Sequence, residues 1–316
     1  MREARATNND VMAEYAAVRD GGAGLIDLSE RGRISVSGSE AVMFLNGLIT
    51  NDLKTLEENR WMPAAFPNVQ GRLLAAVRVL KRKNDMLLDT EAITREKVIK
   101  IIERFTMAGD FKVADITADS ALISLQGRGA SGLSYEGITA VPATHTAEAG
   151  FDLIIEANSK ANVWQSLVDQ GATPVSKQVE EILRIEAGIA HYGVDMDETN
   201  VVTETNLDDA VSYTKGCYLG QEIIVRIKHR GHVAKKLTGL RFETDQMIEP
   251  GAVIKAADDK EIGRVTSATF SPKLETTIGL GYVRYEYLTP GTPVVVNGVA
   301  ATTHELPLVR GSWYTD

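Results

Sequence analysis

The sequence predicts an α+β protein that ends in a separate antiparallel β-barrel. Three observations predict it. As far as about Pro174, strand-like and helix-like stretches alternate. From Leu237 onward, short strand-like runs follow one another, divided by Gly, Pro and Asp turns, as a compact barrel requires. The 316 residues suffice for two or three domains with a substantial core, and no internal repeat or low-complexity tract interrupts them.

"SGSEAVMFLNGLITNDL" opens on a capping-box pattern, Ser37 to Glu40, ahead of a short apolar helix. "QGRLLAAVRVLK" and "DMLLDTE" read as strands joined by a polar turn. Val98, Ile101, Ile102 and Phe105 fall at i, i+3, i+4 and i+7, which gives a helix one buried face. "FKVADIT" and "ALISLQG" are strand-like, and a loop rich in Gly, Ser, Ala and Thr runs to about Gly150. The strand "FDLIIEA" precedes a helix with Ala161, Trp164 and Val168 on one face, closed by Gly171 and Pro174. This order suggests a ferredoxin-like α+β unit. The barrel runs are "LTGLRF", "GAVIKA", "EIGRVTSATF", "TIGLGYVRYEYL", "TPVVVNG" and "ATTHELPLV".

Composition narrows the setting. One cysteine excludes an internal disulfide and any metal site built from several thiolates of this chain. The first twenty residues lack an apolar signal core, and no run approaches the roughly 20 apolar residues of a membrane span, so a cytoplasmic protein is expected. A net charge of −9 disfavours nucleic acid and anionic membranes as partners. "RIKHRGHVAKK" (Arg226 to Lys236) is the exception, a basic run that reads as a solvated face or a local anion site.

"GGAGLID" contains G-x-G but has Asp27 where a dinucleotide loop needs a third glycine, and it reads as a turn. There is no phosphate loop, no metal-ligand histidine spacing and no base for a hydrolase triad. "SKQVEEILRIEAGIA" carries more. Val179, Ile182 and Leu183 make an apolar stripe whose i+7 position is Glu186. A carboxylate there is costly unless donors meet it. Either it lies where the helix leaves the core or pairs with a structural Arg, or it accepts paired N–H donors from a ligand. In "TKGCYLGQEIIVR", Cys217 lies between Gly216 and Gly220, next to Lys215 and ahead of a helix start at Gly220–Gln221–Glu222. It is a small buried hydrophobe or an exposed thiol whose positive surroundings favour thiolate, and the flanking glycines favour the second.

"KGCYLGQE" resembles the K-G-C-Y-x-G-Q-E signature of the YgfZ family, folate-binding proteins related to the T-protein (aminomethyltransferase) of the glycine cleavage system. "FLNGLITNDL", "NVQGRLLA", "RIEAGIAHYGVD" and "LPLV" are similar to further segments of that family, so the resemblance spans about the whole chain. It implies a three-domain cloverleaf around a channel that holds tetrahydrofolate. Residues 1–235 would form two intertwined α+β subdomains and 236–316 the barrel. It also implies folate contacts from Glu186, Tyr192, Asn206 and Arg226, with the basic run serving the folate's glutamate tail. Cys217 would be the working residue, with Lys215, Gln221 and Glu222 beside it and no metal site. Members of that family support iron–sulfur cluster assembly or repair in client enzymes, a tRNA-modifying one included. Three departures stand out. Ala75 and Ala76 replace the aspartate pair of T-proteins and leave no carboxylate to handle a proton. Thr203 stands where many relatives have proline, ahead of Asn206, and Val69 replaces the proline of the N-P-Q-G-R turn.

The expectation is a folate-binding accessory factor for iron–sulfur proteins. Its rivals are a folate-dependent aminomethyl- or methyltransferase and a folate-binding scaffold without chemistry.

Overall fold

The computed structural model describes residues 8–104, 109–133 and 136–314, so Phe105, the expected end of the stripe begun at Val98, lies outside the described residues. Helix α1 (Asn8–Arg19) leads to strand β1 (Gly24–Asp27). The chain then builds another sheet from β2 (Gly32–Ser37), α2 (Ala41–Leu48), β3 (Trp61–Pro67), β4 (Leu73–Lys81), β5 (Asp85–Thr90), α3 (Arg95–Glu103) and β6 (Lys112–Asp115). It returns with β7 (Ser120–Gln126), β8 (Ala140–Pro142), β9 (Gly150–Glu156), α4 (Lys160–Asp169), β10 (Thr173–Pro174) and α5 (Lys177–Glu186). The first sheet has the order β10-β1-β7-β9-β8 and the second β3-β4-β5-β2-β6.

After α5, irregular chain leads to α6 (Gln221–Arg230) and six strands: β11 (Lys235–Phe242), β12 (Val253–Lys255), β13 (Glu261–Ser271), β14 (Thr276–Arg284), β15 (Pro293–Val296) and β16 (Val299–His304). They close a barrel in the order β11-β14-β13-β12-β15-β16, every pair antiparallel. The mixed α+β architecture with a C-terminal barrel is therefore as the sequence predicts. No helix among the described residues is long and apolar enough to cross a membrane.

Period-two alternation decides which residues meet. Along β4, Leu73, Ala75, Val77 and Val79 are buried, and the last three pack with Leu45 of α2 and with Val98 and Ile102 of α3. Each fully buried large apolar side chain contributes about 1.5–3 kcal/mol. Ala76 and Arg78 point to the opposite face of β4. There Arg78 donates to Asp89 of β5 and to Asp152 of β9, both at 2.8 Å, and Arg31 donates to Asp89 at 2.8 Å. Burial pushes Asp89 up, but Arg31 and Arg78 outweigh it and hold the carboxyl below its usual range.

Four local expectations change. Ser37 belongs to β2, and Glu40 precedes α2 without capping it through its side chain; Glu40 and Ser39 instead bond the backbone N–H and carboxylate of Asp110. The capping-box spacing was present, but strand pairing at Ser37 took the first member. Gly24–Asp27 is a strand, not part of a turn, because β7 and β10 pair with it from both sides. The long loop before Gly150 contains the three-residue edge strand β8. The buried face of α4 is Val163 and Leu167, with Trp164 and Val168 beside them, and Ala161 is exposed.

Candidate functional site

Helix α5 is enclosed on two sides. Val179, Ile182 and Leu183 pack with Val11, Tyr15 and Val18 of α1, while Ile185 packs against Leu237, Ile278 and Leu280 of the barrel. Arg184 and Glu186, two residues apart, point to nearly opposite faces of the helix, and both are buried at 1% and 0% exposure. Each therefore needs its own partners. Arg184 donates to Asp195 at 2.8 Å and to Ser267 of β13 at 2.9 Å. Glu186 accepts from Tyr15 at 2.8 Å, from Arg19 at 2.7 Å and from Ser271 of β13 at 2.5 Å. Of the readings left open for Glu186, pairing with a structural Arg is the one present here, and the helix does not leave the core at this residue. Burial and the neighbouring Glu186 push the Tyr15 hydroxyl well above its ordinary value, so Tyr15 remains a donor.

Glu186 lies just behind a cavity of about 880 Å³ whose wall includes Arg19, Arg128, Glu148, Lys273, Arg310 and Ser312. The cavity sits between the end of α1, the first sheet and the barrel. The tail after β16 completes it: Val309 N–H donates to the Glu186 carbonyl at 2.9 Å, and Ser312 donates to Glu148 from its N–H at 2.8 Å and its hydroxyl at 2.6 Å. Arg19 joins Glu186 to Glu148 at 3.0 Å. Tyr15, Arg19 and Glu148 were not picked out from the sequence, because the contact spans 167 residues of chain and no local spacing marks it.

The other expected folate contacts lie elsewhere. Tyr192 is in a cluster with Leu73, Met196, Tyr218 and Ile224, and Ala76 packs at its edge. Ala75 is wholly buried in the core on the other face of β4. Tyr192 donates to the Leu73 carbonyl at 3.4 Å and lies under Lys97. The buried Tyr218 hydroxyl meets no hydrogen-bond partner among the described residues, and burial pushes it up to about 12. Asn206 holds a left-handed turn, φ 59°, between two short 3-10 segments. Arg226 is exposed on α6, where it shares a surface depression with Tyr213, Gln221, Glu222 and His229. Glu186, Tyr192 and Arg226 are thus not gathered in one pocket.

Cys217 is exposed. Its loop is held by Lys215, whose ammonium donates to the carbonyls of Asn46 at 2.7 Å, Ile49 at 3.0 Å and Asn51 at 2.5 Å. These carbonyls lie at and just past the end of α2, where a helix leaves acceptors unmatched. Lys215 was expected to act beside the thiol; its charge is directed instead into the protein, and burial pushes its pKa down to about 8. Gly220 begins α6 at φ 77°, and a Cβ there would lie 2.3 Å from the Asn68 carbonyl oxygen, so only glycine fits.

Two α+β sheets joined through α5 to a closed six-stranded barrel define a class of fold. Comparison with known proteins then assigns a family. The model described as the GCVT N-terminal domain matches residues 3–133 and 131–215, and the glycine cleavage T-protein C-terminal barrel domain matches residues 235–314. The chain belongs to the glycine cleavage T-protein family. An aminomethyltransferase of Rubrobacter xylanophilus is 31% identical over 86% of this chain and 79% of its own length. One of Thermotoga neapolitana is 28% identical over 96% of this chain and 91% of its own. A putative chloroplastic transferase of Arabidopsis thaliana is 27% identical over 91% of this chain and 72% of its own. The crystal structure of aminomethyltransferase T from Bartonella henselae, 24% identical, has the same fold at a TM-score of 0.87, covering 95% of this chain and 90% of that one.

Proposed function

We propose that this chain binds a reduced folate and works on folate-borne one-carbon groups, within the transferase class that its relatives' names describe. Membership of the T-protein family carries this reading. The cavity beside Glu186 suits such a ligand. Its volume of about 880 Å³ falls in the usual range of small-molecule sites, roughly 300–1,000 Å³. At its floor one guanidinium faces two carboxylates, Glu148 and Glu186, so acceptors are in excess there. A pterin edge, rich in N–H groups, finds matching acceptors. Glu148 lines the cavity directly, whereas a ligand reaches Glu186 only by taking over a position now filled by Tyr15, Arg19 or Ser271.

Residues 75 and 76 limit the chemistry. One alanine is core and the other faces an apolar cluster, so neither handles a proton. General acid–base groups contribute roughly 10²–10⁴-fold, and methylenetetrahydrofolate formation from an aminomethylated carrier protein is expected to be at least about 100-fold slower than with a T-protein relative assayed in parallel. An equal rate would remove the inference drawn from the alanines. Failure of tetrahydrofolate to bind in titration calorimetry would remove the folate reading itself.

Cys217 favours a second reading. Its octapeptide resembles the YgfZ signature, and the thiol is exposed on a loop anchored by Lys215. On this reading the chain is an accessory factor that supports assembly or repair of iron–sulfur clusters in client enzymes. Cys217→Ser is then expected to keep folate affinity while lowering cluster-dependent activities in cells lacking the native gene. Unchanged activities across several such enzymes end that reading.

A further inference from the structure

The basic run on and after α6 belongs to a site of its own. Gly231 ends α6 in the left-handed region, φ 91°, with its N–H bonded to the Lys228 carbonyl at 3.2 Å. The chain turns there, and Lys228 on the last turn of the helix shares one crevice of about 230 Å³ with His232 and Lys236 beyond it. Thr203 and Asp208, from the 3-10 segments Val202–Glu204 and Asp208–Ala210, and Tyr285, from the 3-10 turn Tyr285–Tyr287 after β14, also line it. The Tyr285 N–H donates to the Ala234 carbonyl at 3.0 Å, which holds that turn against the chain entering β11. None of the run's described residues lines the large cavity beside Glu186.

Rings and charges lie side by side in this crevice. His232 and Tyr285 stack with centroids 4.1 Å apart and planes 18° apart, and Tyr285 is 45% exposed. Lys228 has no carboxylate partner among the described residues and lies over the Tyr213 ring at 5.2 Å. Lys236 donates to Asp208 at 2.6 Å, and the Asp208 side chain is 62% exposed, so its carboxylate still accepts from outside. The Thr203 hydroxyl in the wall meets no hydrogen-bond partner among the described residues. A simple anion site needs only the ammonium groups, and an apolar groove only the rings. Stacked rings, two ammonium groups and an open carboxylate together match a ligand that carries a planar ring, a phosphate and hydroxyl donors.

We propose that this crevice binds a free nucleoside phosphate. The base extends the His232–Tyr285 stack, the phosphate meets Lys228 and Lys236, and a sugar hydroxyl donates to Asp208. The site is separate from the large cavity and does not depend on the folate reading. Each exposed ionic contact is weak and screened by salt, so affinity comes from stack and charge acting on one molecule. A net charge of −9 favours a single nucleotide over a nucleic-acid strand, whose further phosphates would meet an acidic surface.

Calorimetry with adenosine monophosphate, adenosine and inorganic phosphate tests it. Native protein is expected to bind the monophosphate at least about tenfold more tightly than either fragment, because stack and charge then act together. Tyr285→Leu is expected to weaken the monophosphate about tenfold, the worth of one lost stack, and to leave phosphate binding unchanged. Lys228→Gln is expected to weaken the monophosphate and reduce its salt dependence without changing adenosine binding. Both side chains are exposed, so the urea midpoint of each variant is expected to match the native one. Lys273→Ala at the large cavity and added tetrahydrofolate are both expected to leave the nucleotide affinity unchanged. No binding of the monophosphate, or a fragment that binds as tightly, overturns the proposal. So does an affinity that survives both Tyr285→Leu and Lys228→Gln, or one lost with Lys273→Ala or to tetrahydrofolate, since the nucleotide would then sit elsewhere. A short single-stranded RNA that binds more tightly than the monophosphate makes the site a strand's and overturns the assignment to a free nucleotide.

Discussion

At the residue scale, Glu186 ties three parts of the chain together. Tyr15 and Arg19 reach it from α1 and Ser271 from the barrel, all with the carboxylate out of water. Glu186→Gln keeps the shape but turns one acceptor into a donor facing Arg19. A weakened buried charge pair is expected to cost about 2–4 kcal/mol, read as a lower urea midpoint with the slope unchanged. His191 carries a pH dependence. It borders a smaller cavity of about 230 Å³ with Arg31, Glu91, His145 and Arg184. Burial, then Arg184, pushes its imidazole down to about 4, with Arg31 adding and Glu91 and Glu181 opposing. As pH falls below the ordinary histidine value of about 6.5, the unfolded chain takes up this proton and the folded one resists. The stability contributed by neutral His191 is whole above that pH and is lost on the way down to about 4. His191→Asn is expected to flatten this limb by about 2 kcal/mol, measured as urea stability at pH 4.5 against pH 7.

At the element scale, the spacing of the octapeptide is largely a matter of anchoring. Lys215 closes the end of α2, and Gly220 turns the chain tightly enough against Asn68 to start α6. Lys215→Met is expected to lose about 2–4 kcal/mol, since three carbonyls lose a charged donor together, and to speed amide exchange across Ala41–Leu48. Gly220→Ala is expected to destabilise by about 1–3 kcal/mol through left-handed strain and overlap with the Asn68 carbonyl. Cys217, exposed between these anchors, is expected to react with iodoacetamide in the native protein as completely as after unfolding. Protection in the native state would contradict its placement. The strands and their order of appearance could be read from the sequence because alternation and turn residues are local signals. The capping box at Ser37 and the short strand β1 could not, because pairing with distant strands decided both.

At the scale of the whole molecule, the tail after β16 returns from the barrel to the α+β sheets and walls the large cavity. Truncation before Val309 removes bonds to the Glu186 carbonyl, the Glu148 carboxylate and, through Trp313, the Ala147 carbonyl at 3.0 Å. It is expected to lower stability by about 3 kcal/mol, seen as a lower melting temperature, and to weaken folate binding with it. The sequence by itself determined the α+β class, the six barrel strands, the place of Glu186 on an apolar stripe and the absence of a carboxylate at positions 75 and 76. Each of these rests on neighbours along the chain: periodicity, turn residues, or the identity of a side chain. Only the tertiary structure decided that Glu186 is buried against Arg19, that Lys215 turns inward, and that Arg128, Lys273 and Arg310 line one cavity. Arg19 and Glu186 are 167 residues apart in the chain, and Lys215 and Asn46 169. Burial makes the partners of Glu186 and Lys215 obligatory, yet no local pattern in the sequence says which distant group will satisfy them.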